Sequence, residues 1–190
     1  MALEVKDRKI IGEIDNLEDK LEGKLAINRL ELLYLINSWG RNEYFKLNEE
    51  IELGYIPIEC NEKECYDLSK LDTSEITDMS QLFYYSEFNG DISNWDVSNV
   101  TNMQAMFAFT NDFNSDIGNW NVSKVTSMTR LFNGAKIFNQ DISKWDVSNV
   151  NSFSNMFNGT QNFNQNLNSW NVSNVTNMSN MFYFAKSFNQ

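Results

Sequence analysis

Apolar residues recur along most of this chain at a fixed step of 25 residues. The step is seen in the tryptophans Trp95, Trp120, Trp145 and Trp170. Phenylalanine keeps the same step from Phe88 to Phe188. A fixed period of roughly 20 to 50 residues is typical of a solenoid or a similar array. The sequence therefore predicts two parts: an N-terminal segment, 1–66, and tandem repeats over 67–190, the last of them truncated.

Within one repeat the apolar spacing changes halfway. In the third copy Trp145 and Val147 alternate with polar neighbours, which predicts a strand over Ile142–Ser148. From Val150 to Phe157 the apolar residues recur at i, i+3, i+6 and i+7, which favours a short helical or 3₁₀ segment. The predicted fold class is an α/β repeat solenoid, with a short parallel strand ladder on one side and short helical segments on the other.

Asparagine follows each phenylalanine of the repeat, at Asn114, Asn139, Asn164 and Asn189. A primary amide both donates and accepts hydrogen bonds. We therefore expect this column of asparagines to satisfy backbone groups where the chain bends.

The segment before the repeats lacks the 25-residue pattern. Lys24–Trp39 has the apolar spacing of an amphipathic helix, and Asp15–Leu21 favours a second, weaker one. Glu50–Ile58 is predicted to be extended, because Pro57 disfavours a central strand. This composition predicts a mostly helical cap over the first coil; the alternative is an independent partner-binding domain.

Two stretches give the repeat a family resemblance: WDVSNVTNMQAMF at Trp95–Phe107 and KWDVSNVNSFSNMF at Lys144–Phe157. They resemble the BspA-like leucine-rich repeat family of bacterial surface proteins and lipoproteins, over Leu68–Gln190. The resemblance implies a leucine-rich-repeat-like, elongated scaffold. It also implies a cell-surface or secreted location, adhesion and contact with protein partners, host extracellular proteins among them. It implies no catalytic residues.

Charge and composition exclude several classes of function. The formal net charge of −11 argues against binding to nucleic acid or to an anionic membrane surface. No apolar run approaches the roughly 18 residues of a spanning helix, so no membrane insertion is predicted. The chain opens with MALEVKDRKI, which is not a signal peptide, so a cytoplasmic location stands beside the surface one.

The sequence predicts neither catalysis nor a cofactor. With no histidine, the chain has no Ser–His–Asp or Cys–His arrangement. Aspartates recur in columns, at Asp91, Asp116 and Asp141 and at Asp96 and Asp146, and turn formation is favoured there over catalysis or calcium binding. Cys60 and Cys65 are too few to hold a metal. We interpret them as two thiols, with a local disulfide as the alternative in an exported protein.

Three sets of residues are candidates for a binding surface. The tryptophan column is predicted to be core, because Trp and Val two apart point the same way; a sugar-binding strip is the alternative. The outward polar positions give the candidates Asn94, Asp96, Asn119, Asn121, Lys144, Asp146 and Asn171. The stretch that varies between copies gives the candidates Tyr84, Tyr85, Phe109, Tyr183 and Phe184, for which packing at an edge is the alternative.

These patterns predict a non-enzymatic protein-binding scaffold that acts in bacterial surface adhesion or host-protein binding. The alternative is an intracellular interaction protein: an effector, an inhibitor or an assembly component. A third hypothesis, a carbohydrate-binding or carbohydrate-cleaving solenoid, requires an exposed tryptophan column. The last repeat is also expected to drive end-to-end self-association through Val172, Val175, Met178, Met181 and Phe182.

Overall fold

A computed structural model describes residues 19–20, 22–29, 32–33, 36 and 67–190. Residues 67–190 form a stack of similar coils. Counted from the Asp or Asn that precedes a Leu or Ile at the start of each repeat, they are coil 1 (67–90), coil 2 (91–115), coil 3 (116–140), coil 4 (141–165) and coil 5 (166–190). Each coil lies on the one before it, so residues 25 apart in sequence are neighbours along the stack.

The predicted α/β solenoid is wrong, because residues 67–190 contain no helix and no strand. Between consecutive repeats only isolated parallel bridges form; they join Asp78 to Asn102, Asn102 to Ser127, Ser127 to Ser152, and Ser152 to Asn177. The helical positions among the described residues are Asp19, Lys20, Arg29, Leu32, Leu33 and Ile36. The repeats are therefore built from turns, with no sheet beside them.

The predicted strand over Ile142–Ser148 is replaced by two successive β-turns. The N–H of Trp145 donates to the carbonyl of Ile142 at 3.2 Å, and the N–H of Val150 donates to that of Val147 at 2.9 Å. The first and fourth residues of both turns are buried. Apolar residues that are alternately three and two positions apart therefore indicate two successive turns. The two-residue step from Trp145 to Val147 is the same as the step between residues on one face of a strand.

The predicted helical segment, Val150–Phe157, fails because a left-handed residue interrupts it. Asn155 has φ 56°, which is incompatible with a right-handed helix, and Gly159, just beyond the segment, has φ 72°. Alternate N–H groups, from Phe153 to Gly159, donate to carbonyls of coil 5 at 2.7 to 2.9 Å. Between them, the N–H groups of Met156 and Asn158 close β-turns within coil 4. Spacing of three again marks turns, here interleaved with bonds to the next coil.

Two columns of stacked phenylalanines fill the core. The inner column is Phe83, Phe107, Phe132, Phe157 and Phe182, with neighbouring ring centroids 5.3 to 5.7 Å apart. The outer column is Phe88, Phe113, Phe138, Phe163 and Phe188, with spacings of 5.9 to 6.4 Å. Within each coil the two rings lie 3.9 to 4.3 Å apart. Side-chain stacking therefore runs continuously through all five coils.

The tryptophan column is buried, which confirms its predicted place in the core. Trp145 is 3% exposed, and its Nε1–H donates to the carbonyl of Ile117 in the preceding coil at 3.0 Å. Trp95, Trp120 and Trp170 make the equivalent bond at 2.8 to 3.1 Å. Since the sugar-binding hypothesis required exposed tryptophans, this burial excludes it.

The asparagine column also acts as predicted. The Oδ1 atom of Asn114 accepts the N–H of Asn139, and Asn139 accepts the N–H of Asn164, both at 2.9 Å. The same bond links Asn89 to Asn114 and Asn164 to Asn189. These side chains supply acceptors to backbone N–H groups at a bend where neighbouring coils make no bridge.

Part of the N-terminal segment lies against coil 1. Ala26 forms a parallel bridge with Asp72, and the N–H of Ile27 donates to the Asp72 carbonyl at 2.9 Å. The helix predicted over Lys24–Trp39 starts later, because residues 22–28 are not helical. Among the described helical positions, Leu32, Leu33 and Ile36 are buried. Glu50–Ile58, Cys60 and Cys65 lie outside the described residues, and the boundary at residue 66 stays a prediction.

Aspartates and asparagines open the turns of every coil. The Oδ1 atoms of Asp91, Asp96, Asp141 and Asp146 each accept the N–H of the serine two residues later, at 2.9 to 3.0 Å. Hydrogen bonds from the hydroxyl and N–H of that serine hold the pKa of all four carboxyls below its usual value. Asn121, Asn166 and Asn171 form the same turn without a titrating group, at 2.8 to 3.2 Å.

These lowered pKa values predict a loss of stability in acid. A carboxyl with a folded pKa below its unfolded value of about 3.9 stabilises the fold above that value. The stabilisation disappears as the pH falls through the folded pKa. We expect the urea midpoint to fall between pH 5 and pH 2.5, and to fall less in the variant D91N/D96N/D141N/D146N, which keeps the turns. An equal fall in both proteins would contradict a role for these turns.

Candidate binding surfaces

The polar candidates lie on the surface, but four of the seven have a structural role. All seven of the predicted polar positions are exposed. However, Asp96, Asn121, Asp146 and Asn171 use their Oδ1 atoms to accept the serine N–H of their own turn. Asn94, Asn119 and Lys144 alternate with these turn residues on the same face. This face is polar, and the side chains that recur in every coil already accept hydrogen bonds from their own turns.

The aromatic candidates come together along one edge of the stack. The rings of Tyr85 and Phe109 are stacked, with centroids 4.5 Å apart, and Tyr84 meets Tyr85 edge-on at 4.6 Å. Burial, and then the neighbouring Tyr85, raise the pKa of the Tyr84 phenol. In coil 5, Tyr183 and Phe184 pair with centroids 4.2 Å apart. The edge thus carries aromatic residues at both ends of the stack.

Tyr85, Phe109 and Phe184 belong to one backbone column in which every member is left-handed. The column, here called the edge column, is Tyr85, Phe109, Gly134, Gly159 and Phe184, with φ between 57° and 72°. Its N–H groups in coils 1 to 4 donate to the next coil, at 2.7 to 3.0 Å. The hydrogen bonding between coils therefore fixes the left-handed conformation, whichever residue occupies the position.

The two glycines of the edge column leave a groove between the aromatic groups. Gly134 and Gly159 line its middle, and Tyr85, Phe109 and Phe184 line it as well. The groove has a volume of about 650 Å³, within the range of roughly 300 to 1,000 Å³ seen for ligand sites. Its remaining lining residues are Ser86, Glu87, Asn111, Asp112, Asn133, Lys136, Asn158, Gln161 and Lys186. We call this site the edge groove.

Sequence reasoning found three residues of the edge groove and missed the glycines and the charges. Tyr85, Phe109 and Phe184 were predicted from the stretch that varies between copies. Gly134 and Gly159 occur at the same position of that stretch, each directly after an asparagine, which is a turn signal. Aligning these glycines with Tyr85, Phe109 and Phe184 indicates a left-handed position in every repeat. The residue at this position is aromatic in three coils and glycine in two.

The described residues contain no group of three or more Cys, His, Asp or Glu side chains placed to hold a metal ion. Asp91 and Asp141 accept turn N–H groups from Ser93 and Ser143, and Asp116 accepts one from Gly118. This is the turn role that the sequence favoured for the aspartate columns. In the same part of the chain no helix is both long and apolar enough to cross a membrane.

Comparison with known proteins corrects the family expected from the repeat. No curated protein and no solved structure matches the chain. One family model matches residues 55–145 and again 115–190, and its description is a Mycoplasma protein of unknown function, DUF285. The resemblance to BspA-like leucine-rich repeats is therefore wrong, and coils without repeated strands or helices agree with that correction. Because the two matches together span well over half of its length, the chain belongs to the DUF285 family.

Proposed function

We propose that this chain is a non-enzymatic scaffold that binds a protein partner through the aromatic residues of its edge column and the groove between them. The observation that carries the proposal is the presence of Tyr85, Phe109 and Phe184 at left-handed positions. A left-handed conformation costs a non-glycine residue about 1–2 kcal/mol. Gly134 and Gly159 occupy the same column without this cost. Since glycine serves the same backbone position, the fold requires no side chain there, and the aromatic side chains remain available for a partner.

Packing of the aromatic rings offsets the cost of the left-handed conformation only in part. Tyr85 and Phe109 stack on one another, and a Cβ at Gly134 would lie only 2.6 Å from the Phe109 ring, so Phe109 rests on the next coil. Phe184 is 63% exposed, and among the described residues its ring pairs only with Tyr183. Aromatic residues are enriched among those that dominate binding energy at protein interfaces. Half-exposed rings around a groove therefore favour partner binding over the polar face, which offers no such anchor.

Replacing Phe184 with asparagine should separate stability from binding. Asparagine tolerates the left-handed conformation, as Asn155 and Asn180 do elsewhere in the coils. We expect the free energy of unfolding of F184N, measured by urea denaturation, to stay within about 0.5 kcal/mol of the original value, as is usual for exposed positions. A loss of more than about 2 kcal/mol would mean that Phe184 supports the fold, and the argument from strain would fail.

Binding itself can be tested by selecting displayed random peptides on the immobilised chain. We expect enriched sequences that lose at least tenfold in affinity on F109N and on F184N. The control is I137N, because Ile137 is also an exposed apolar residue, at 39%, but does not line the groove. Enriched peptides that bind all three variants equally would refute the proposed surface, and a selection without enrichment would count against peptide binding.

The proposal does not depend on one cellular location. The surface adhesion role came from the BspA-like resemblance, which the family match has replaced. Protease treatment of intact cells distinguishes a scaffold on the cell surface from one inside the cell. Loss of the protein would support contact with an extracellular partner, and its survival would support an intracellular one.

A further inference from the structure

The edge groove is acidic in coils 1 and 2 and basic in coils 3 and 5. Glu87 lies in coil 1 and Asp112 in coil 2, whereas Lys136 lies in coil 3 and Lys186 in coil 5. All four residues are exposed and line the groove. The acidic end is also the end where Tyr85 and Phe109 stack. A ligand lying along the groove therefore meets carboxylates first and ammonium groups afterwards.

These four charges are not used within the described part of the fold. The ion pairs there join Lys24 to Asp19 and Glu22, and Arg29 to Asp78. Among the described residues no ion pair involves a charge of the groove, although Asp112 and Lys136 lie in adjacent coils. Surface charges that are separated along a groove, and that no intramolecular partner neutralises, are available to select a ligand of complementary charge.

The length of the groove suits an extended peptide. From coil 1 to coil 5 the inner phenylalanine column covers about 22 Å, which about seven extended residues span. The side chains of Asn133 and Gln161 line the middle of the groove, and primary amides can both donate to and accept from a peptide backbone. Gly159 leaves room for the backbone to approach, because the nearest atom to a Cβ there would be the Cα of Gly134 at 3.6 Å, whereas the Phe109 ring covers Gly134.

The acidic end has the chemistry of a subsite for a cation. A guanidinium group over a stacked tyrosine or phenylalanine ring gains a cation–π interaction, and nearby carboxylates add to it. Tyr85 and Phe109 supply the rings, and Glu87 and Asp112 supply the carboxylates. At the other end Lys136 and Lys186 present ammonium groups, which attract a carboxylate.

We infer that the edge groove binds an extended peptide segment with a basic side chain at the Tyr85–Phe109 end and an acidic side chain at the Lys136–Lys186 end. This inference rests on the proposed function and gives its partner a charge pattern. The two ends fix the direction in which the segment lies, because reversing it would place like charges together. An uncharged apolar segment would fill the same space without a preferred direction.

Four fluorescein-labelled peptides test the inference. They share the core Ala-Pro-Ala-Pro-Ala, and the flanking residues are Arg and Glu, Arg and Arg, Glu and Glu, or Ala and Ala. Anisotropy titrations with the full chain should show the Arg/Glu peptide binding about two- to fivefold more tightly than each of the other three. The variant K136E/K186E should then prefer the Arg/Arg peptide, and E87K/D112K the Glu/Glu peptide. The control K70E changes an exposed charge outside the groove and should keep the original order.

The outcomes separate the inference from the proposed function. If all four peptides bind equally and binding is lost in F109N, the charge pattern is wrong and the groove remains a peptide site. If charge reversal changes no preference, the inference is likewise overturned. If none of the four peptides binds, both the charge pattern and peptide binding in this groove are refuted.

Discussion

The variant F132A should lose about 3–5 kcal/mol of unfolding free energy, the usual effect of removing a fully buried phenylalanine. Phe132 is 0% exposed and lies in the middle coil. Its ring stacks on Phe107 and Phe157, both at 5.7 Å, and on Phe138 at 3.9 Å. Alanine would open a cavity between coils on both sides. Urea denaturation followed by tryptophan fluorescence measures the loss.

The matched control for this experiment is F182A. Phe182 occupies the same position in coil 5, where it stacks on Phe157 at 5.5 Å and on Phe188 at 3.9 Å and is only partly buried. We expect it to lose about half as much free energy, because its ring has one neighbour along the inner column where Phe132 has two. In a stack held together by nearest-neighbour contacts, F132A should also broaden the transition, since coils on either side become less coupled. Equal losses in the two variants would contradict this account.

The variant G134A should lose about 2–5 kcal/mol of unfolding free energy, and G159A only about 1–2. Both glycines have φ 72°, so alanine pays the left-handed cost of about 1–2 kcal/mol at each. At Gly134 the new Cβ would also lie 2.6 Å from Cδ1 of Phe109, and overpacking of this kind adds about 1–3 kcal/mol. At Gly159 the nearest atom is the Cα of Gly134, at an ordinary 3.6 Å. The two sites therefore differ by the Phe109 contact alone.

A double-mutant cycle checks this interpretation. In the F109A background the ring is gone, so G134A should fall to the loss seen for G159A. Contacting residues commonly show coupling energies of about 0.5–3 kcal/mol in such cycles. Additive effects of F109A and G134A would show that Phe109 does not rest on Gly134, and the description of the groove wall would be wrong.

The sequence predicted the period, the core columns and the asparagine column, and it was wrong about local structure. The burial of Trp145 and the acceptor role of Asn139 could be predicted from residue type and repetition. In any stack of repeats, a recurring large apolar side chain is buried and a recurring amide can bond the backbone. The prediction of local structure failed because spacing is ambiguous. Trp145 and Val147 alternate with polar neighbours as in a strand, but together with Ile142 and Val150 they lie at the first and fourth positions of turns. Left-handed residues such as Arg130 and Ala105 leave no mark in the sequence at all.

The candidate site was predictable only in part, for a related reason. Exposed aromatic residues could be inferred from the variable stretch, as with Phe109 and Phe184. The groove exists because Gly134 and Gly159 share the left-handed position with those aromatic residues, and the shared conformation is fixed by bonds between coils. Spacing alone contains no information about φ. The Asn–Gly pairs that end at Gly134 and Gly159 are the only sequence signal of the left-handed position, and no comparable signal marks the groove or its charges.

The direction of the bonds between coils has a consequence for how such a chain can change in length. In coils 1 to 4, alternate N–H groups such as those of Phe132 and Phe157 donate to the following coil, and N–H groups such as that of Thr126 donate to the preceding one. The junctions between coils therefore share one main set of backbone bonds, although their side chains differ. Duplicating or deleting one 25-residue segment in register would keep this set of bonds, so the stack could change in length by whole coils while its phenylalanine columns continue.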